Sequence, residues 1–313
     1  MLGYLLRRVL ATIPVMAIVA LFVFSLLYLA PGDPAAVIAG DQASPEDVEK
    51  IRKSLGLDRP FLVRFTEWSL QVLSGDLGTS MFTGLPVTEL IRQRIEPTLS
   101  LMVVTLFLAI GVAVPAGVVA AWKAGTWIDR TVMAFAVLGF SVPVFIIGYL
   151  LAYIFALQLD WLPVQGYTPI ARGFWPWLEN LILPSIALGF VFMALIARIT
   201  RATMLEVLSQ DYVRTARSKG VGEGSILFVH ALKNAAVPIV TVIGIGVALL
   251  IGGAVVTESV FAIPGLGRLT IDAIVRRDYP VIQGIVLMFS FVYVLVNLLV
   301  DLIYTTLDPR IRY

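Results

Sequence analysis

Long apolar runs alternate with short polar breaks along this chain. Six runs approach or exceed the roughly 20 residues that a helix needs to cross a hydrocarbon core: Val9–Ala30, Thr98–Trp122, Ile128–Leu157, Leu178–Ile199, Ala235–Val256 and Val281–Thr305. Pro14, Pro115, Pro143, Pro184 and Pro238 interrupt them, which a membrane helix tolerates when neighbours satisfy the freed backbone groups. The pattern predicts an all-α polytopic membrane protein with six transmembrane helices. One span lies within 1–30, a loop follows over 31–96, five spans fill 97–305 and a tail runs over 306–313. The first run is too long for a signal-peptide core, and Pro31 stands where a cleavage site would be needed. It reads as a retained span.

Two polar stretches break the apolar pattern. In the first loop, "SPEDVEKIRKSLGL" places Ser44 as N-cap, Pro45 at the first helical position, acids in the first turn and Gly56 past the end. Val48, Ile51 and Leu55 share a face there. "PFLVRFTEWSLQVLSGDLG" repeats Leu62, Phe65, Trp68 and Val72 close to helical period. Both predict short amphipathic helices at the membrane surface, serving either as a lid over the bundle or as a docking surface for a soluble partner. Pro86 opens the helix that leads into the second span.

The second stretch is an insert over 204–235. From Met204 to Lys219, Leu205, Leu208, Tyr212 and Ala216 recur at helical spacing, with Glu206, Gln210, Arg214 and Arg217 opposite. Gly220 stands at the C-terminal stop, and Ser225 is the expected cap of a second short helix ending at Asn234. The prediction is helix, glycine turn, helix, with an amphipathic face that lies on the membrane or against a protein partner.

Charge orients the chain. With the N-terminus in the cytoplasm, twelve Lys and Arg (Arg7, Arg8, Lys123, Arg130, Arg198, Arg201, Arg214, Arg217, Lys219, Lys233, Arg310, Arg312) face inward and four (Arg172, Arg268, Arg276, Arg277) lie in short outer loops. The positive-inside rule then places both termini and the insert in the cytoplasm.

Composition agrees and narrows the chemistry. The 313 residues are 59% hydrophobic and 14% charged, with a net charge of +2 and a mean hydropathy of +0.92, which fits a lipid environment and no nucleic-acid partner. There is no cysteine and one histidine, His230; no metal site, bound cofactor or catalytic residue is expected. No P-loop, H-E-x-x-H or G-x-S-x-G occurs. Tyr293, Asn297 and Asp301 fall at i, i+4 and i+8 of the last span. Interhelical hydrogen bonding is the favoured reading, a polar strip along a pathway the alternative. Glu258 ends the fifth span just before "VFAIPGLGRL". A solvated helix end is the favoured reading, and an outer gate the alternative.

The stretches "DYVRTARSKGVGEGSILFVHALKNAAVPIVT", "GGAVVTESVFAIPGLGRL", "RDYPVIQG", "VNLLVDLIYTTLDPRIRY", "SGDLGTS", "LLRRVLATIPV" and "LAPGDP" together resemble the membrane-spanning subunits of type I ABC importers, and among them the dipeptide/oligopeptide permease branch. The resemblance covers nearly the whole chain. It implies that the insert is the coupling loop that docks on an ATP-hydrolysing subunit. Against the pattern E-A-A-x-x-x-G, Arg214, Thr215 and Ala216 take the first three places and Gly220 the glycine; His230, Leu232 and Lys233 stand where I-x-L-P is usual. Only Ala216, Gly220 and Leu232 match, and Asp211, Tyr212, Arg214 and Arg217 are expected at the edge of the docking surface. The implied partners are a second, homologous permease subunit, two ATP-binding subunits that use ATP and Mg²⁺, and an extracytoplasmic binding protein. The implied cargo is a peptide and the implied location the bacterial inner membrane. Nickel, glutathione or another small solute is the alternative cargo, and an ATP-independent transporter or channel the alternative class.

Overall fold

The computed structural model describes residues 2–29, 33–39, 43–54 and 56–307. Its regular structure among these residues is helical, with one isolated β-bridge between Thr79 and Pro86. In chain order the helices are α1 (Leu2–Leu29), α2 (Pro34–Ala39), α3 (Pro45–Ser54), α4 (Phe61–Leu73), α5 (Val87–Trp122), α6 (Trp127–Ser141), α7 (Val144–Leu151), α8 (Phe174–Leu208), α9 (Asp211–Ser218), α10 (Glu223–Ser225), α11 (Leu232–Val260), α12 (Leu266–Arg276) and α13 (Tyr279–Leu307). A π-helical turn, Ala152–Gln158, extends α7, and another, Ile226–Ala231, joins α10 to α11.

Among the described residues, five helices are long and apolar enough to span a bilayer, and the count reaches six if a bent pair forms one span. That pair corrects the continuous helix expected over Ile128–Leu157. α6 and the helix from Val144 to Gln158 meet at 108°. Pro143 is the cause: it has no N–H to donate, and its φ of −58° and ψ of 140° are not helical. Pro14, Pro97, Pro115, Pro184 and Pro238, by contrast, lie within unbroken helices.

The described residues form two compact units. The first holds Ile95–Arg268 and the residues from 295 onward. Its centre is α8, which packs on α6, α7 and α11; Leu181, Leu183, Ile196 and Met204 are wholly buried. Small residues let the backbones approach, as is usual where helices pack in lipid. A Cβ on Gly117 would lie 2.7 Å from the Ala197 carbonyl oxygen, and one on Gly139 would lie 2.6 Å from the Ala194 Cβ.

The second unit holds Leu2–Arg94 and Leu269–Val294. α3 has the expected cap: the Asp47 N–H donates to Ser44 Oγ at 3.2 Å, and Gly56 takes φ +61° past the end. The Ile51 side chain, Leu55 and the tail from 308 on lie outside the described residues. α4 lays an aromatic face on α1, with Phe61, Phe65 and Trp68 ringed around Phe24. Leu62, expected on that face, is instead 71% exposed. The packed positions are 61, 65, 68 and 72, so Leu62 lies one residue, about 100°, off the stripe. Asp278, at the start of α13, is buried; its carboxylate accepts from Ser80 Oγ at 2.5 Å and from the Met81 N–H at 3.2 Å. The "SGDLGTS" loop is thereby tied to "RDYPVIQG" within this unit.

Candidate functional site

The insert links α8 to α11. The structure breaks the helix expected from Met204 to Lys219. α8 ends at Leu208, Ser209 turns back with its Oγ on the Glu206 carbonyl at 2.7 Å, and α9 restarts after the extended Gln210. Short polar side chains that bond their own backbone favour such ends over helix continuation. α9 stops as expected. Gly220 has φ +78°, the Gly220 N–H donates to the Arg217 carbonyl at 2.9 Å, and the Val221 N–H reaches back to the Ala216 carbonyl at 3.2 Å. This is a helix end built around a left-handed glycine.

The second arm differs from the expectation. Gly222, not Ser225, precedes its first helical residue. The helix does not end at Asn234 but runs through the π-helical turn into α11. Arg217 pairs with Glu223 across the elbow at 2.7 and 3.2 Å. The Glu223 carboxylate holds the Arg217 guanidinium above its ordinary pKa. Asp211 pairs weakly with Arg214, at 3.6 Å.

Which face the insert buries also differs. Val213, Ile226, Leu227 and Ala231 are buried, and Leu227 and Ala231 join Val118 and Met204 in one apolar cluster. Ala216 and Leu232 are half-buried. Tyr212, expected on the apolar face, is exposed, as are Phe228 and Val229. The restart at Asp211 resets the helical phase, so Val213 takes the inward position. Asp211, Tyr212, Arg214, Arg217 and Gly220 are thus brought to the exterior of the elbow, where they can meet a partner.

Close to the insert, Asp129 on α6 is buried and chelated by Arg201 of α8 through both carboxylate oxygens; one of these bonds, Nη2 to Oδ2, measures 2.7 Å. The Gly125 N–H donates to the same carboxylate at 2.9 Å. Sequence reasoning missed this pair. An Asp three residues into a helix reads as ordinary first-turn electrostatics, and Arg201 lies 72 positions away.

At the opposite end of α11, 26 residues or about 39 Å along the axis from Leu232, lies a second polar centre. Glu258 is wholly buried. The solvated helix end expected for it is therefore incorrect. Thr98 Oγ1 donates to Glu258 Oε1 at 2.6 Å, and the Arg268 N–H donates to Oε2 at 3.0 Å. The Leu266 N–H donates to Thr98 Oγ1 at 2.8 Å. The chain folds back onto the carboxylate because α11 ends at Val260, Ala262 takes φ +51°, and the Ile263 N–H returns to the Glu258 carbonyl at 2.9 Å. Glycine is required at 265, where a Cβ would sit 2.3 Å from the Glu258 carboxyl. Nearby on α5, Glu96 accepts from Tyr167 and the Ile170 N–H, and Ser100 accepts from Trp177 Nε1. The polar triplet Glu96, Thr98 and Ser100 beside an apolar helix was the legible clue, and sequence reasoning passed over it.

Tyr293 and Asn297 are exposed on α13 and Asp301 is half-buried.

Apolar helices long enough to cross a bilayer, with an exposed polar elbow at one end and a buried carboxylate corner at the other, define a polytopic membrane protein. The chain belongs to the family described as binding-protein-dependent transport system inner membrane components. That family's sequence model matches residues 113–313, and the model of its N-terminal region matches residues 1–102. It is 57% identical over 310 residues, 99% of each chain, to a protein of Sinorhizobium fredii described as a probable peptide ABC transporter permease. It is 42% identical, over the whole of both chains, to a dipeptide transport system permease of Alkalihalophilus pseudofirmus. It is 44% identical, again over the whole of both, to a glutathione transport system permease of Salmonella typhi. In fold it is similar to a chain of the MetNI methionine ABC transporter in an inward-facing conformation, with a TM-score of 0.58 and 18% identity over 70% of this chain and 96% of that one. The chain is accordingly a multi-pass inner-membrane ABC transporter permease.

Proposed function

We propose that the chain is one of two homologous transmembrane subunits of an ATP-driven, binding-protein-dependent importer that carries di- or oligopeptides into the cytoplasm. It crosses the membrane six times with both termini inside, counting α6 and α7 as one span. The observation that carries the reading is the elbow around Gly220. A protein of this family with no nucleotide motif needs an entry point for energy, and the elbow offers Asp211, Tyr212, Arg214 and Arg217 on an exterior whose inner face is rooted in the bundle by Val213 and Leu227.

Two ATPase subunits bind ATP and Mg²⁺ and close on each other. The elbow follows, and the bundle moves as a rigid body because α9 is short, internally paired and anchored. Ala216 and Leu232 seat the elbow and Gly220 shapes it. Glu258 holds the far corner as an outer gate, and the polar face of Tyr293, Asn297 and Asp301 lines the pathway or bonds between helices. The chain binds no cofactor itself and makes or breaks no covalent bond. The peptide and dipeptide permeases among its relatives support peptide cargo, and the glutathione permease supports glutathione as the second reading.

The test is uptake by proteoliposomes. Complex purified through a tag on this chain is expected to contain two ATPase subunits and a second permease, and to import labelled peptide only with ATP and the binding protein. Uptake by this chain alone, without ATP, would overturn the reading in favour of a stand-alone transporter.

A further inference from the structure

A cavity of about 430 Å³ lies within the second unit, between α1, α3, α4 and the start of α13. Phe24, Leu27, Tyr279 and Gln283, all buried, line it together with the partly exposed Trp68. Lys53, Arg59, Arg64 and Glu67 also line it. Arg59 and Glu67 neutralise each other, with Arg59 Nη1 3.2 Å from both carboxylate oxygens. Two cations remain. Arg64 lies over the rings of Phe24 and Tyr28, at 5.5 and 5.4 Å from their centroids, and donates to the Tyr28 hydroxyl. That bond uses one of the five N–H donors of a guanidinium.

Depth selects the occupant. Phe24 and Leu27 stand within about 8 Å of the end of α1 at 1.5 Å per residue, and α1 is a candidate span that ends at Leu29. The cavity therefore opens where the hydrocarbon core gives way to headgroups. The ring of Phe24, Tyr28, Phe61, Phe65 and Trp68 fits the aromatic belt of that level. On the other side of α4, Leu62, Leu70 and Leu73 are exposed by 67% or more, an apolar edge suited to acyl chains. A net double positive charge at this depth, beside an apolar edge, matches a phosphate carried on a lipid. A water-soluble anion would not need the apolar edge.

We propose that this cavity binds the headgroup of an anionic phospholipid, with Lys53 and Arg64 on its phosphate and the acyl chains running along α4. The site is independent of the transport reaction and of the cargo. It gives α1, α3 and α4 a lipid-dependent brace, since the cavity is walled by all three.

The experiment is native mass spectrometry and thermal unfolding of the purified, delipidated complex with defined additives. Phosphatidylglycerol is expected to bind and raise the unfolding temperature more than phosphatidylcholine does. Lys53→Gln with Arg64→Gln should weaken that binding about 30-fold, about 2 kcal/mol for two interfacial cations. Lys53→Gln alone, at an exposed position, should give part of the loss, and Arg64→Lys should keep most of the affinity. Equal binding of phosphatidylglycerol and phosphatidylcholine would overturn the proposal, as would variants that bind like the wild type. Stabilisation by inorganic phosphate to the same extent would reduce the site to a simple anion pocket. Displacement of phosphatidylglycerol by trialanine would make it a peptide site. Either result refutes the lipid assignment.

Discussion

The elbow around Gly220 and the corner around Glu258 stand at opposite ends of α11, and both are polar breaks in an apolar chain. Their polar groups are held in opposite ways. In the elbow the charged pairs are local and exposed: Arg217 with Glu223 six residues on, Arg214 with Asp211 three residues back. In the corner one carboxylate is wholly buried, and Thr98, its side-chain partner, lies 160 residues away in sequence. Exposed pairs are weak and exchange readily with water, whereas a buried polar group must keep its hydrogen bonds. The elbow is thus a surface that can release one partner and take another. The corner is a joint whose buried carboxylate is held by the Thr98 hydroxyl and the Arg268 N–H.

The contrast can be broken most directly at the corner. Glu258→Ala removes the acceptor for the Thr98 hydroxyl and the Arg268 N–H and leaves a cavity, and should cost about 3 kcal/mol. Glu258→Gln keeps one acceptor oxygen and should cost less. Thermal or denaturant unfolding in detergent checks both, and wild-type stability for Glu258→Ala would refute the joint.

The next effect falls at Asp129→Ala, which strands Arg201 near the insert. The Arg201 side chain retains 26% exposure, so the loss should be about 2 kcal/mol rather than the 3–5 of a fully buried pair. The same unfolding assay measures it.

Gly220→Val comes third. A Cβ there meets nothing within 4 Å, so the cost is confined to forcing φ +78° on a branched residue, about 1–2 kcal/mol. The protein should insert and assemble yet lose uptake per ATP hydrolysed, while Gly220→Asn should retain more. Wild-type coupling in Gly220→Val would remove the elbow from the mechanism.

The smallest effect belongs to Arg217→Gln, below 1 kcal/mol because both partners of the pair are about two-fifths exposed. An unfolding shift as large as that of Glu258→Ala would erase the distinction between the two regions.

The same comparison explains what could be read from the amino acids. The elbow was legible in its main lines: Gly220 as a left-handed stop and two short arms about it follow from local chemistry. The details that failed there were matters of helical phase. Ser209 broke the first arm, and the restart moved Val213 inward and Tyr212 outward. At the corner the favoured reading of Glu258 as a solvated helix end failed, because a Glu near a helix end is solvated unless something distant covers it. Thr98 and the returning backbone of Leu266 and Arg268 cover it. The Asp129–Arg201 pair was invisible for the same reason, and the 108° bend lay hidden because Pro143 bends the chain where five other prolines, each within an unbroken helix, do not.

By itself the sequence determined the apolar helices, the caps of α3 and the glycine stop of α9. Each rests on interactions between residues a few positions apart, where period and side-chain chemistry leave little choice. Only the tertiary structure decided that Glu258 and Asp129 are buried, which face of the insert turns inward, and that α1, α3 and α4 wall a cationic cavity. Those outcomes depend on which distant group arrives within hydrogen-bonding reach, and a carboxylate carries the same letter whether water or a threonine hydroxyl meets it.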